Sequence, residues 1–375
     1  MPARNVTRVS APPVPPAPAA PPGVTLELVH GPLPDALAAE ADAAADNPYV
    51  TLRETRASAP ALLPRLHHVV VRRNGSLAQV LSVHEAGRAL VAVNRCVALP
   101  DDVLAACANR LFAAFPGTRR LEIASVRDDA TPTGPGAART RRIPRGLENF
   151  VLALPASVDA YHATFSARSR QKFRNYERHL ARAHPAAAWR LARDHEIDPA
   201  LVDGIVELNH RRMAAQGGLS AIDAAQAAAL LSLVRDGGAV GVFVDGARVL
   251  GGTICARVGR GWTLMVLAHD PALDAMSLGT LCLLRTVDAA IGDGATVFNL
   301  LWGKYAYKER FGAHAIPLSD RRIYRTRGAW LADWPVKFPV YRRALRDAYW
   351  TLRRRLRLGR FLPWRHAAAS PPVDA

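Results

Sequence analysis

Four cysteines, Cys96, Cys107, Cys255 and Cys282, are all the thiols in 375 residues. They are scattered on apolar runs, with neither metal-ligand spacing nor a pairing pattern. That argues against a metal site or a disulfide framework and for small buried thiols in a reducing compartment. Lysine is as scarce. Lys172, Lys304, Lys308 and Lys337 are the only four, so 49 − 4 = 45 of the basic residues are arginine. Such a bias often reflects a GC-rich genome, and the net charge of +17 is by itself weak evidence for a polyanionic partner. No window reaches ~20 uninterrupted apolar residues, which excludes a spanning helix. The first 23 residues, MPARNVTRVSAPPVPPAPAAPPG, lack the apolar stretch of a secretory signal and read as a Pro/Ala-rich head without a core. A cytoplasmic location is the expectation.

What is present suits a globular protein of two domains: half the residues are apolar, and the length exceeds one typical core. The most informative stretch is Gly241 to Ala313. A β-branched run, Val242 to Val244, ends at the turn pair Asp245-Gly246. A second run, Val249 to Val258, carries Gly251 and Gly252, and a third, Trp262 to Ala268, stops at Asp270-Pro271. From Ser277 to Ile291 the apolar residues Leu278, Leu281, Leu284, Val287, Ala290 and Ile291 recur at helical spacing. Val297 to Trp302 reads as a fourth strand, followed by a short polar helix with Tyr305, Tyr307, Lys308 and Glu309. Three antiparallel strands, a helix and a parallel fourth strand bring a helix start to the end of the third strand. Unpaired N–H groups and the helix dipole there favour a phosphate.

This order resembles the acyl-CoA-binding core of the GNAT acetyltransferase superfamily, and within it the BioF2-like (CelD/BcsL) domain. That family closes its last core strand with Gly, a Tyr-Lys pair and Phe; here Gly303, Tyr307-Lys308 and Phe311 stand in LLWGKYAYKERFG. Its pyrophosphate loop is matched by MSLGTLCLL, with Ser277, Gly279, Leu281 and Leu283. The resemblance implies acetyl-CoA or another acyl-CoA as donor, an amine or hydroxyl acceptor, and no metal. It further implies that Leu267 and Ala268 on the third strand, with Ser277, Leu278, Gly279 and Thr280, hold the cofactor. Tyr307 would protonate the leaving thiolate, with Lys308 placed to lower its pKa or to bind a phosphate or carboxylate. His269 and Asp270 are candidates for the base. The family often has an acidic residue two positions into the last strand, where this chain has Asn299.

The N-terminal part repeats the pattern. HHVVVRRNGSLAQVLSVHEAGRALVAV offers three strands with turns at Asn74-Gly75 and Gly87, then a helix from Asp101 to Phe115 and a strand from Leu121 to Val126. Val70 and Val242, like Gly87 and Gly259, are 172 positions apart, and Leu121 and Val297 are 176 apart. One element order at nearly one offset predicts two copies of the same α/β unit, the paired GNAT-like arrangement described for Fem-type and BioF2-like proteins. The fold class expected is therefore α/β with mixed sheets in two tandem units. The domains are a head (1–23), an N-terminal unit (24–150), an acyltransferase unit (151–328) and a basic C-terminal helix with tail (329–375). Asp101 and Asp102 open the first copy's helix and would repel a pyrophosphate, so the second copy is the expected cofactor site.

Between the copies, residues 127–149 read as a surface loop and Phe150 to Leu154 as a short strand. The helix that follows carries Arg168, Arg170, Lys172, Arg174, Arg178 and Arg182. It resembles the family's basic helix; Arg170, Lys172 and Arg174 either line a channel for an anionic substrate or belong to a solvated face. In ELNHRRMAAQGG, Glu207, His210 and Arg211 share one helix side, and the family position suggests that His210 or Arg211 faces the acceptor, as does Tyr305. Beyond residue 340 an arginine-rich amphipathic helix either docks on the core or rests on an anionic membrane surface or a polysaccharide. The functional expectation is N- or O-acyl transfer, and the resemblance suggests a sugar- or polysaccharide-linked acceptor. A Fem-like transferase using charged tRNA, or a non-catalytic polyanion or membrane adaptor, are the alternatives; the chain lacks the coiled-coil arm expected of the former.

Overall fold

The computed structural model describes residues 20–128, 139–215 and 217–333. Its first half comprises β1 (Val24–His30), α1 (Asp35–Ala44), α2 (Leu52–Ser58), β2 (His67–Arg73), β3 (Ser76–Ala86), β4 (Ala89–Ala92), α3 (Asp101–Ala114) and β5 (Arg120–Arg127). The second half begins with β6 (Thr140–Ala153), α4 (Val158–Ala163), α5 (Ala167–Ala183), β7 (Ala187–Arg193), α6 (Pro199–Ala215) and α7 (Ala224–Arg235). It continues with β8 (Gly238–Asp245), β9 (Arg248–Val258), β10 (Gly261–His269), α8 (Leu278–Gly292), β11 (Val297–Trp302), α9 (Ala306–Arg310), β12 (His314–Tyr324) and α10 (Arg327–Ala332). The expected hairpins, helices and parallel fourth strands are all present: β4 pairs β5 and β10 pairs β11 in parallel, while β2–β3–β4 and β8–β9–β10 run antiparallel.

All twelve strands join one sheet in the order β1, β2, β3, β4, β5, β12, β6, β11, β10, β9, β8, β7. The halves exchange strands at the centre. β6 follows β5 in the chain but pairs with β11, and β12 follows β11 but pairs with β5. Each half thus supplies the last strand of the other, and β6 and β12 pair antiparallel across the middle. Sequence reading missed this because pairing partners on opposite halves leave no local signal.

The duplication is written into the irregularities as well. The β2–β3 register shifts between Val71 and Arg72, and the β8–β9 register between Phe243 and Val244, with 243 − 71 = 172. Ser125 on β5 and Leu301 on β11 both adopt a left-handed backbone, φ 54 and φ 55, with 301 − 125 = 176. Both stand at register shifts against the exchanged strands. A positive φ is uncommon for a non-glycine residue, so its recurrence at the offset read from the hairpins marks two copies of one unit. The fold class is α/β with two tandem GNAT-like units in one mixed sheet.

Helices cover both faces. α3 packs on the first half through Val103, Leu104, Cys107, Ala108 and Leu111. α8 packs on the second through Leu283, Leu284, Val287, Ala290 and Ile291, against Phe150, Leu264, Phe298 and Leu300. α6 and α7 lie on the opposite face, where Val202, Ile205 and Val234 meet Val240, Val242, Ile254 and Val266. Fully buried aliphatic side chains such as these contribute about 1.5–3 kcal/mol each. All four cysteines are buried and free, and burial pushes the thiols of Cys96 and Cys107 up to about 12, which suits core packing rather than reactivity.

Three expectations change. The strand foreseen as Phe150–Leu154 is the end of β6, which starts at Thr140, so part of the expected 127–149 loop is sheet and residue 150 falls inside a strand. The third strand of the second copy does not run straight into its helix: a turn of 3₁₀ helix, Pro271–Met276, intervenes. The N-terminal hairpin gains an outer strand, β1, that sequence reading did not place. The described residues up to 329 belong to one compact unit. The Pro/Ala-rich head up to residue 19 and the basic helix from residue 334 onward lie outside the described residues.

Candidate active site

β10 and β11 pair at three positions only, Gly261–Thr263 with Val297–Asn299, and then part. The opening has a cause on each side. On β10 the register against β9 shifts between Leu264 and Val266, so Met265 is an extra residue that re-aims the strand. On β11 the left-handed Leu301 breaks the pairing with β6 between Asn299 and Trp302. The result is a V between two strands, widening toward the end of β10, where Leu267 and Ala268 lie beyond the last pairing with β11.

Three carbonyls freed at the end of β11 share one partner. Lys308, buried despite its charge, donates from Nζ to Leu300 O at 2.7 Å, Leu301 O at 3.0 Å and Trp302 O at 2.8 Å. Burial lowers its ammonium to about 8. The expectation that Lys308 tunes Tyr307 or binds a phosphate is corrected here: every donor of its ammonium is occupied by backbone. The Tyr307 phenol is moreover raised, to about 12, by burial first and by Tyr305 second, against an opposing pull from Arg212. Lys308→Met should therefore destabilise the fold by about 2–4 kcal/mol, because it strands buried carbonyls. Denaturant unfolding checks this; a loss under about 0.5 kcal/mol, usual for surface positions, would show that the lysine does not hold the strand end.

Tyr307 itself, on α9, packs against the α8-side core, and its ring stacks on Tyr305 with centroids 5.9 Å apart. Tyr305 is 58% exposed and folds back over Gly303, whose Cβ, if present, would stand 2.8 Å from the tyrosine ring. That contact, with φ of 97, requires glycine at 303.

At the other edge of the V, Ser277 is left-handed and makes no side-chain cap, so α8 begins with an uncapped N-terminus. Asp270 is buried. Its Oδ1 accepts from Arg211 at 3.1 Å and from the Ala272 N–H at 3.1 Å, and its Oδ2 accepts from Arg248 at 2.6 Å. Burial alone would raise its pKa, but the Arg248 hydrogen bond, the Ala272 N–H and the two guanidinium charges hold it below the usual carboxylate range. With both oxygens engaged, Asp270 anchors the turn after β10, and the geometry argues against its use as a base. His269 donates from Nε2 to Asp274 Oδ1 at 2.6 Å, while its Nδ1 lies 2.9 Å from where a Gly279 Cβ would stand. The imidazole therefore overlies the start of α8, away from the polar floor of the V.

That floor was missed by sequence reading. Trp262 and Leu264 face α8, so Thr263 between them faces the α6–α7 side, as does Asn299 between Phe298 and Leu300. Asn299 is the single polar residue of β11, and Thr263 is the one polar residue of β10 before His269 ends it, a signal that could have been read. Both are buried. Asn299 Oδ1 accepts the Leu301 N–H at 2.8 Å and so helps set the break in β11. On α6, Arg212 donates to Asn209 Oδ1 at 3.3 Å.

The remaining expected residues disperse. His210 meets the Ile222 carbonyl at 2.7 Å and ties α6 to the loop before α7. Arg170 donates to the carbonyls of Phe165 and His162 and secures the turn into α5. Lys172 and Arg174 are exposed on α5, and Arg174 meets Gln171. Leu278 is buried, and the Thr280 N–H bonds the Ser277 carbonyl within the first helical turn.

In the first half the corresponding helix start is engaged in internal ion pairs. Asp101 at the start of α3 accepts from Arg321 Nε at 2.6 Å and from Arg142 Nη2 at 3.1 Å, and Arg321 also meets Asp128 at 2.7 Å. Arg321 is 1% exposed. A guanidinium from the exchanged strand β12 thus neutralises the helix start internally.

Comparison with known proteins agrees with this geometry. Residues 167–309 match the Acetyltransferase (GNAT) domain family. No curated protein sequence matches the chain. Among solved structures, FemX is similar with a TM-score of 0.57 and 11% identity, covering 79% of this chain and 96% of that one. A tandem GNAT protein from the clavulanic acid biosynthesis pathway has a TM-score of 0.43 and 14% identity, with coverages of 80% and 99%. A GCN5-related N-acetyltransferase from Sphaerobacter thermophilus has a TM-score of 0.33 and 12% identity, covering 82% and 97%. Only the first exceeds 0.5, and at that identity it speaks to the fold alone. Residues 167–309 are thus similar to a GNAT-type acetyltransferase domain, within a chain whose fold is that of paired GNAT-like units.

Proposed function

We propose that the chain is an acyl-CoA-dependent N- or O-acyltransferase of the BioF2-like type, with its working site in the second half. The observation that carries this is the asymmetry between the copies. Both halves have a strand V and neither N-cap side chain caps its helix, but only the second has an uncharged helix start at its edge. In this reading the donor's phosphates meet the first turn of α8, from Ser277 to Thr280, with His269 beside them. Its thioester arm runs between β10 and β11 past Leu267 and Ala268. The acceptor nitrogen or oxygen attacks the thioester carbonyl and loses its proton to water; the C–S bond breaks, and the thiolate is stabilised and protonated from Tyr307.

A second reading draws on α5. Arg168, Lys172, Arg174, Arg178 and Arg182 are exposed, and none has a carboxylate partner among the described residues. That face would suit the phosphates of an aminoacyl-tRNA, as a Fem-like transferase requires. Calorimetric titration with acetyl-CoA separates the two. Saturable binding of one equivalent is the expected result, and no binding of acetyl-CoA or of longer acyl-CoAs would overturn the first reading in favour of the second.

A further inference from the structure

Asn149 on β6 is 0% exposed, and neither its amide nitrogen nor its amide oxygen has a hydrogen-bond partner. An orphaned carboxamide in a core costs about 1–3 kcal/mol for each unsatisfied group, and apolar residues fill such positions more stably. Its surroundings say where the missing partner belongs. Phe150, the next residue, packs with α8, so Asn149 faces the other side of the sheet, which carries α6 and α7. In register it stands opposite Trp302, the last residue of β11, just past the break that opens the V. The Trp302 ring lies against Tyr49 at 5.1 Å. Asn149 thereby continues the buried polar floor formed by Thr263 and Asn299, across β11 from the opening.

We infer that Asn149 is a specificity-determining residue that recognises a secondary amide in the acceptor. A carboxamide offers one acceptor and two donors in a plane, and the group that satisfies both kinds at once is another amide. The acceptor is favoured over the donor's own amides because the helix start that would hold the donor's phosphates lies on the α8 side, and Asn149 faces away from it. The inference rests on the acyl-CoA reading of the V.

The test compares wild type with Asn149→Leu, a substitution that keeps the branching and heavy-atom count of the side chain. Acetyl-CoA is the donor; glycylglycinamide, an amine with a secondary amide, and 5-amino-1-pentanol, an amine without one, are the acceptors. Thermal unfolding of each free protein is measured alongside. The variant is expected to unfold at or above the wild-type temperature, since it removes an unsatisfied group, and to bind acetyl-CoA normally. Its preference for glycylglycinamide over aminopentanol, as a ratio of kcat/KM, should fall about tenfold or more. An unchanged ratio, a wild type that shows no preference, or a variant that unfolds several degrees lower overturns the inference. Weakened acetyl-CoA binding would assign the amide to the donor and overturn it as well. Failure of the wild type to bind acetyl-CoA sinks the acyl-CoA reading itself, and is seen before any variant is compared.

Discussion

Tyr307→Phe is expected to leave acetyl-CoA affinity close to wild type and to lower turnover by roughly 10²–10⁴, the range for a lost general acid. The structure narrows the expectation toward the lower end. Burial raises the phenol to about 12, so it stays protonated at neutral pH but is a weak proton donor to a thiolate. Hydrogen-bond stabilisation of the leaving sulfur then matters more than full transfer. Tyr305→Phe should do much less: the ring is more than half exposed, and its contacts are with Gly303 and Tyr307 through the ring face. Steady-state kinetics with any competent acceptor, or slow acetyl-CoA hydrolysis in its absence, provides the readout. Equal rates for Tyr307→Phe and wild type would reduce the residue to packing, since the Phe ring preserves every apolar contact.

Gly279→Glu should abolish acyl-CoA binding, a loss of at least a hundredfold in affinity by calorimetry. Two effects act together. Any Cβ at 279 meets His269 Nδ1 at 2.9 Å, tighter than ordinary contact, so the imidazole must move from the helix start. The added carboxylate then occupies the N-terminal field that a phosphate would use. Asp101→Asn is the control in the other half. It weakens an internal ion pair with the buried Arg321 and should lower stability without touching donor affinity. Normal binding by Gly279→Glu with altered binding by Asp101→Asn would move the donor site to the first half.

Much of the fold could be read along the chain because its elements declare themselves locally. Asn74-Gly75 and Asp245-Gly246 fix hairpins, and the buried stripe of α8 falls at the spacing read from Leu278 to Ile291. The offsets of 172 and 176 recur in the register shifts and in the left-handed pair Ser125 and Leu301. The charge contrast between Asp101-Asp102 and Ser277-Leu278-Gly279 was also visible in sequence, because helix starts are short and contiguous.

The candidate site was less so. Residue type and spacing placed Tyr307 and Lys308 side by side as a functional pair, yet packing sends them to different tasks. Lys308 turns inward because the break at Leu301 leaves three carbonyls that only a buried donor can satisfy. Asp270 reads as a base next to His269, but its partners Arg211 and Arg248 come from 59 and 22 residues away. Asn149, Thr263 and Asn299 share a floor only because β6 crosses to the other half and lies beside β11. Sequence alone therefore determined the repeated unit, its strand and helix order, and which half kept an uncharged helix start, since each depends on neighbours within one turn or hairpin. The exchanged strands, the role of each charged residue and the polar floor were decided by tertiary structure, because hydrogen bonds and burial between distant segments settle them.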